Sequence, residues 1–271
     1  MAYISVIVPT LNEGKYIGNL LTSLEKQNYQ DFEVIVVDGD SGDKTIAIAK
    51  AFGAQTIILP KVKEFASRNK AAEISNGEIL LFTGADVVFP DNLLGNIVRK
   101  FEKPDLLAVA GPGIPFDASR IFKIEFFLYN TLRCFFAHLP RNLRRFSTST
   151  NLLAVRKEAF RAIGGFDPDN VNADGLLGRK LCERGEVWFS YFKVKAYASA
   201  RRIKEMGAIS FNSHFAYVLE NFFPFLSNSA FIQNNKRRSG QNHSEMHQII
   251  SITSPTTIPS EELTNIVTGG K

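Results

Sequence analysis

The sequence predicts an α/β protein with a mainly parallel sheet flanked by helices. Three observations carry that prediction. Short β-branched runs recur at residues 4–9, 32–37, 55–59 and 79–83. Between them, apolar residues fall at helical spacing. Three of the four runs end in polar clusters: Thr10 to Glu13, Asp38 to Asp43, and Gly84 to Asp86. Strands alternating with helices at this spacing mean βαβ units and parallel pairing. In such sheets ligands bind beyond the carboxyl ends of the strands, so the three clusters are expected along one edge.

The elements follow in order. Residues 4–9 form a β-branched run stopped by Pro9, which reads as a buried parallel strand. Asn12 then suits a helix cap, and Ile17, Leu20, Leu21 and Leu24 give the helix its apolar face. A strand at 32–37, a helix at 45–52, a strand at 55–59, a helix at 66–74 and a strand at 79–83 complete the first half. Residues 119–139 carry Ile121, Ile124, Leu128, Leu132 and Phe135 at helical spacing, with Lys123, Glu125 and Arg133 interrupting too often for a buried span. A returning strand is expected at 151–155, short helices at 157–163 and 176–184, and strand pairs at 186–200. A second amphipathic helix, with Phe211, Phe215, Val218, Leu219, Phe222 and Phe223, is expected over 206–226, and a disordered tail over 227–271.

Composition narrows the classes. Apolar residues make up 45% of the 271 and charged residues 22%, which fits a globular chain. The net charge of +5 suits an anionic substrate or surface, and no nucleic-acid partner is expected. Two cysteines, Cys134 and Cys182, exclude a disulfide framework and a zinc site. No apolar run is long enough to span a bilayer, and no secretory leader opens the chain, so a cytoplasmic location is expected.

Candidate chemistry lies in the polar clusters. Asp86, on a Gly-Ala turn after a strand, is placed to hold a hard divalent cation on a diphosphate; taken alone it reads as a turn residue. Asp38, ending the second strand, suits a ribose or base. Ser41 and Asp43 read as turn and helix-start residues. Arg68 can reach a phosphate or lie solvated. Asp174, just before a helix, is either its cap or a general base. Arg201 and Arg202 suit a diphosphate or a lipid phosphate.

These residues resemble a known family. Residues 6–13 (VIVPTLNE), 36–45 (VVDGDSGDKT), 77–86 (GEILLFTGAD), 150–160 (TNLLAVRKEAF) and 164–167 (GGFD) are similar, in order, to family 2 glycosyltransferases of the GT-A fold, a Rossmann-like sheet flanked by helices. The resemblance spans about residues 4–204 and implies a domain over 1–205, with a nucleotide-sugar-binding half (1–111) and an acceptor half (112–205). It implies a UDP- or GDP-sugar donor and inverting transfer to a hydroxyl or lipid-phosphate acceptor. It places Pro9, Thr10, Glu13, Asp38 and Arg68 on the nucleotide, and Asp167, Arg201 and Arg202 on substrate. Asp86 matches the last acid of the Asp-x-Asp motif that holds a Mg or Mn ion, and Asp174 matches the catalytic base.

Three positions depart from that pattern. Gly84 stands for the first Asp of the motif, Ala173 for the Glu before the base, and Leu176 for an acid two residues after it. They raise an alternative: a non-catalytic homologue that binds nucleotide-sugar or acts as a scaffold. The Phe-rich stripes beside Arg141, Arg144, Arg145, Arg201, Arg202 and Lys204 suggest peripheral attachment to an anionic membrane surface, with a polyprenyl-phosphate or other membrane-bound acceptor. Core packing or a dimer face explains the same stripes.

Overall fold

A computed structural model of the protein describes residues 3–140, 143–146, 148–170 and 172–201. The expected amphipathic helix at 206–226, the tail at 227–271, Arg141 and Arg202 lie outside the described residues.

The opening β-branched run is β1 (Ile4–Thr10), buried along its length apart from a half-buried Pro9. A strand covered on both faces needs this composition. α1 (Ile17–Glu25) turns Ile17, Leu20, Leu21 and Leu24 inward. There follow β2 (Phe32–Asp38), α2 (Thr45–Ala51), β3 (Gln55–Ile58), α3 (Glu64–Ile74) and β4 (Ile79–Phe82). Then come β5 (Val87–Val88), α4 (Leu93–Phe101), β6 (Leu106–Ala110), β7 (Gly113–Pro115) and α5 (Arg120–Ala137). The described part closes with β8 (Leu153–Arg156), α6 (Lys157–Ala162), α7 (Ala173–Arg184), β9 (Glu186–Phe189) and β10 (Ala196–Ala198).

Seven strands form the main sheet in the order β3-β2-β1-β4-β8-β6-β9. All neighbours are parallel except β8, which runs antiparallel to both β4 and β6. Alternate residues face opposite sides of a strand. Val6, Val8, Val36, Leu81 and Val109 therefore pack toward α1 and α4, while Ile7, Ile35, Leu80, Phe82 and Val155 pack toward α3, α6 and α7. On the second side Phe82, Phe160 and Phe166 meet with ring centroids 4.9 to 5.3 Å apart. The Asn69 side chain donates to the Phe166 carbonyl and accepts from its N–H, which fixes the 164–167 segment on α3.

A second, three-stranded sheet has the order β5-β10-β7. The expected strand pairing within 186–200 is therefore corrected: β9 extends the main sheet and β10 enters the small one, because each finds a better partner at long range than in its neighbour. Gly111 lets the chains cross there, since a Cβ on it would lie 1.9 Å from the Val194 carbonyl oxygen.

α5 inverts the usual pattern. Its buried residues are Asn130, Arg133 and Ala137. Ile121, Ile124, Phe127, Leu128, Leu132 and Phe135 face outward, with Ile121 77% exposed. Among the described residues no helix is long and apolar enough to cross a membrane.

α7 begins at Ala173, so Asp174 lies in its first turn and does not cap it. The helix lies hard against Phe146 and Thr148: a Cβ on Gly178 would sit 2.3 Å from the Phe146 carbonyl oxygen. Backbone there has to move to admit even a methyl group. Gly178→Ala is expected to cost about 1–3 kcal/mol, the usual range for overpacking. A thermal-unfolding midpoint equal to wild type would show that the contact is looser than this.

Candidate active site

The site begins where β1 and β2 end. Thr10 donates its hydroxyl to Asp38 Oδ1 at 2.7 Å, and the Gly39 N–H donates to the Thr10 carbonyl at 2.8 Å. Asp38 is 1% exposed. Its carboxylate also accepts from the Ser41 hydroxyl (2.7 Å), the Ser41 N–H (2.6 Å) and the Asp40 N–H (3.1 Å). A buried carboxylate survives only with such donors around it. Asp38 thus organises the loop end around itself.

The β1–α1 and β2–α2 loops are stitched together. Asn12, at φ 55°, donates its N–H to Ser41 Oγ and accepts from the Gly42 N–H with its side chain. It caps no helix, which corrects the sequence expectation; its amide is worth more in the left-handed conformation facing the opposite loop. Asp43 accepts from the Gly14 N–H, the Thr45 N–H and the Thr45 hydroxyl, and Thr45 Oγ1 accepts from the Glu13 N–H. Burial alone would raise the Asp43 pKa. The hydrogen bonds from Thr45 and Gly14 outweigh it and hold the carboxyl below the ordinary value.

The next group is assembled by the small sheet. β5 follows Asp86, β10 precedes Arg201, and the two pair antiparallel with Ala198 opposite Val87. The Ser199 N–H donates to the Asp86 carbonyl at 3.0 Å. Asp117 accepts from the Ala200 N–H (2.5 Å) and the Ser199 hydroxyl (3.2 Å), which sets the chain leading to Arg201. The Arg201 guanidinium donates Nε–H to Asp86 Oδ2 at 3.2 Å and Nη2–H to Glu13 Oε1. Its centre lies 4.4 Å from the Tyr16 ring centroid. The side chains of Arg201, Glu13 and Asp86 are only 14%, 11% and 12% exposed. Burial opposes the arginine's charge, but Glu13 and Asp86 outweigh burial and push its pKa above the ordinary value.

A third group approaches the end of β4 from the other face of the sheet. Arg68, 1% exposed, donates Nη1–H to the Thr83 carbonyl (2.9 Å) and Nη2–H to Glu64 (2.7 Å). Asp174 Oδ1 accepts from the Gly175 N–H at 2.8 Å, and the Thr148 hydroxyl bonds the Asp174 carbonyl. Burial raises the Asp174 pKa and Glu64 adds to the rise; the Gly175 N–H, Arg133 and Arg68 oppose it. Arg133 is held in the interior of α5 by Asn130 Oδ1 (3.0 Å) and by the Phe189 ring at 4.7 Å.

The carboxylates at this edge offer a divalent ion few ligands. Gly84 supplies none, and a Cβ there would lie 3.0 Å from Asp86 Oδ1. Asp86 and Glu13 are both engaged by Arg201. Among the described residues no three His, Cys, Asp or Glu side chains are grouped to hold a metal ion. In this arrangement the residues do not fit a protein-built divalent-cation site.

Comparisons with known proteins give the family and the fold. The sequence model of Glycosyl transferase family 2 matches residues 5–164, more than half of the chain. The chain belongs to glycosyl transferase family 2. Within this family it is 23% identical over 193 residues to an O-antigen chain rhamnosyltransferase of Salmonella typhimurium, covering 67% of this chain and 62% of that one. It is 29% identical over 125 residues (41% of this chain, 39% of the relative) to a Methanococcus voltae dolichyl N-acetyl-alpha-D-glucosaminyl phosphate 3-beta-D-2,3-diacetamido-2,3-dideoxy-beta-D-glucuronosyltransferase. The chain spans between 29% and 62% of the length of the first curated relatives it matches. A mannosyltransferase from Pyrobaculum calidifontis, solved with GDP-Man and Mn²⁺, superposes with a TM-score of 0.64 at 22% identity, covering 99% of this chain and 79% of that one. The fold of this family 2 chain is therefore GT-A, as the motifs imply.

The fold joins Thr10 to Asp38, and Glu13 to Asp86 and Arg201, while Arg68 and Asp174 share the Glu64 field. Pro9 flanks the first of these groups. Asp167 stands apart, closing a turn by accepting from the Asp169 N–H. Tyr16, Asp117 and Arg133 escaped the sequence reading. Each acts through a partner more than sixty residues away or through a ring face, and neither leaves a local spacing signal.

The stitched loops carry a pH signature. A carboxyl whose folded pKa is depressed stabilises the fold above its ordinary pKa, and that contribution is lost as pH falls through the folded value. Asp43→Asn is expected to lower the thermal midpoint near neutrality, with the gap to wild type closing in acid. A gap that persists unchanged down to the lowest pH at which both remain folded would contradict the hydrogen-bond account.

Proposed function

We propose that the protein transfers a sugar from a UDP- or GDP-sugar to a hydroxyl or lipid-phosphate acceptor, with inversion. The observation that carries this reading is the convergence of the Thr10–Asp38 lattice, the Glu13–Asp86–Arg201 cluster and the Arg68–Asp174 group on the carboxyl ends of β1, β2 and β4. Ligands of open α/β sheets bind there. The GDP-Man and Mn²⁺ held by the similar Pyrobaculum fold, and the phosphate-linked lipid in the name of the Methanococcus relative, support the donor and acceptor classes.

In this reading Pro9, Thr10, Glu13 and Asp38 frame the nucleotide. Arg68 and Arg201 set positive charge toward the diphosphate, whose negative charge grows as it leaves. Arg202 and Asp167 belong to the substrate side. Asp174 takes the proton from the acceptor hydroxyl on the opposite side of the sugar, and in-line attack inverts the anomeric carbon. Asp86, the acid expected to hold a Mg or Mn ion, has no carboxylate at 84 beside it and is paired with Arg201 instead. Residues 1–111 then serve the donor and 112–205 the acceptor, apart from Arg201, which reaches back to the donor side.

The outward apolar stripe of α5 favours a second element: peripheral attachment at an anionic membrane surface on the cytoplasmic side. Lys123 is exposed on the same helix, whereas Arg145 donates to the Arg144 carbonyl and Arg144 is paired with Glu186 at 2.8 Å. Co-sedimentation with anionic liposomes is expected at low salt, weakening as salt screens the charges. Absence of binding at low salt would remove this element and leave the transfer reaction standing.

Nucleotide release from UDP- and GDP-sugars tests the reaction. Asp174→Asn is expected to lower turnover by roughly 10²–10⁴-fold, the usual contribution of a general base, with nucleotide affinity unchanged. Because burial raises the Asp174 pKa and the base must be ionised, kcat/KM is expected to fall with acid through a limb above the ordinary aspartate range. Binding of a nucleotide-sugar without release would favour the non-catalytic alternative, and wild-type turnover in the variant would remove Asp174 from the reaction.

A further inference from the structure

We propose that Arg201 is itself the cation that meets the donor diphosphate, so that this chain binds its nucleotide without a divalent metal ion. The inference rests on the transfer reading above and concerns how that site is neutralised.

Three observations carry it. The first is charge. With an acid at position 84 the cluster would hold three carboxylates and call for a doubly charged ion. Gly84 removes one carboxylate, and the Cβ position beside Asp86 Oδ1, at 3.0 Å, is empty of any acid. With Arg201 in place, three carboxylates would leave two net negative charges for an ion to neutralise, whereas the two present leave one. Losing one acid thus halves the negative charge that would call an ion in.

The second is occupancy. Nε of Arg201 bonds Asp86, the acid an ion would need, and Nη2 bonds Glu13 beside it. An incoming ion would have to break the largely buried Asp86 pair and then sit beside the displaced positive charge, where like charges repel strongly in a poorly hydrated site. A guanidinium has five N–H donors. The two bonds leave others for phosphate oxygens, which arginine binds in a fork geometry.

The third is construction. Arg201 is held by the β5–β10 pairing, by Asp117 on the two residues before it and by the Tyr16 ring. A cation fixed before the substrate arrives stabilises developing charge without a reorganisation cost. A side chain that merely filled space until an ion displaced it would not need this support.

The test uses the full-length protein with UDP and GDP as probes. Calorimetry in EDTA and in Mn²⁺ is expected to give affinities within about threefold of each other for whichever nucleotide binds. The electron paramagnetic resonance signal of free Mn²⁺ is expected to keep its amplitude when the protein alone is added. Arg201→Gln is expected to weaken binding in EDTA by more than about tenfold. Gly84→Asp combined with Arg201→Gln is expected to bind nucleotide only with Mn²⁺ and to quench the free-ion signal. Arg201→Lys keeps the charge and controls for folding, checked by its thermal midpoint; it is expected to bind more weakly in EDTA and to gain nothing from Mn²⁺. Wild-type binding that needs Mn²⁺, or Arg201→Lys binding rescued by it, overturns the inference and leaves the transferase reading intact. Failure of both nucleotides under both conditions overturns the transferase reading, and the inference with it.

Discussion

One arginine closes the site. Arg201 reaches back across the chain to Glu13 and Asp86, residues from the first and fourth strand ends, and a stack on Tyr16 completes its surroundings. Two carboxylates this close and this buried repel each other and lose water. A cation between them removes both penalties at once. Deleting one partner of such a buried group typically costs about 3–5 kcal/mol, because the remaining charge is left uncompensated. The small sheet exists around this contact: β10 is only three residues long, yet it delivers Arg201 to the main sheet's edge by pairing with β5, which starts immediately after Asp86.

The rest of the edge follows the same logic of polar groups satisfied by polar groups. Asp38 is almost fully buried and accepts from four donors; Asp43 accepts from three. These bonds fix two loops that would otherwise be free to move, so the end of the sheet presents a rigid rim above a close-packed core. Arg68 does similar duty from α3, tying its helix to the Thr83 carbonyl at the end of β4. The two faces of the sheet thus carry different chemistry to the same rim: Glu13, Asp86 and Arg201 from one group, Arg68 and Asp174 from another.

α5 shows how far local pattern and final position can diverge. Its apolar residues read either as a membrane-facing stripe or as a packing face, and its interior contact is made by Asn130, Arg133 and Ala137. Arg133 is buried because Asn130 and the Phe189 and Tyr129 rings receive it and because Asp174 lies within its field. The apolar stripe is thereby turned outward. The helix gives its polar face, with Asn130 and Arg133, to the interior and keeps its apolar face outward.

Much of this was legible in the sequence. β1, β2, β4 and their helices announced themselves through β-branched runs and helical spacing, because burial on both faces of a parallel strand leaves few residue choices. The polar clusters after those strands marked the rim, and their order marked the family. The sequence by itself therefore determined the sheet, its edge and the types of side chain available there. Which of them touch was decided only by the tertiary structure. Asn12 leaving its helix for the opposite loop, β9 and β10 parting into separate sheets, and Arg201 meeting Glu13 across 188 positions are all long-range choices. Local spacing records the period of an element, whereas a charge buried at a sheet edge is placed by partners that come together only when the whole chain has folded.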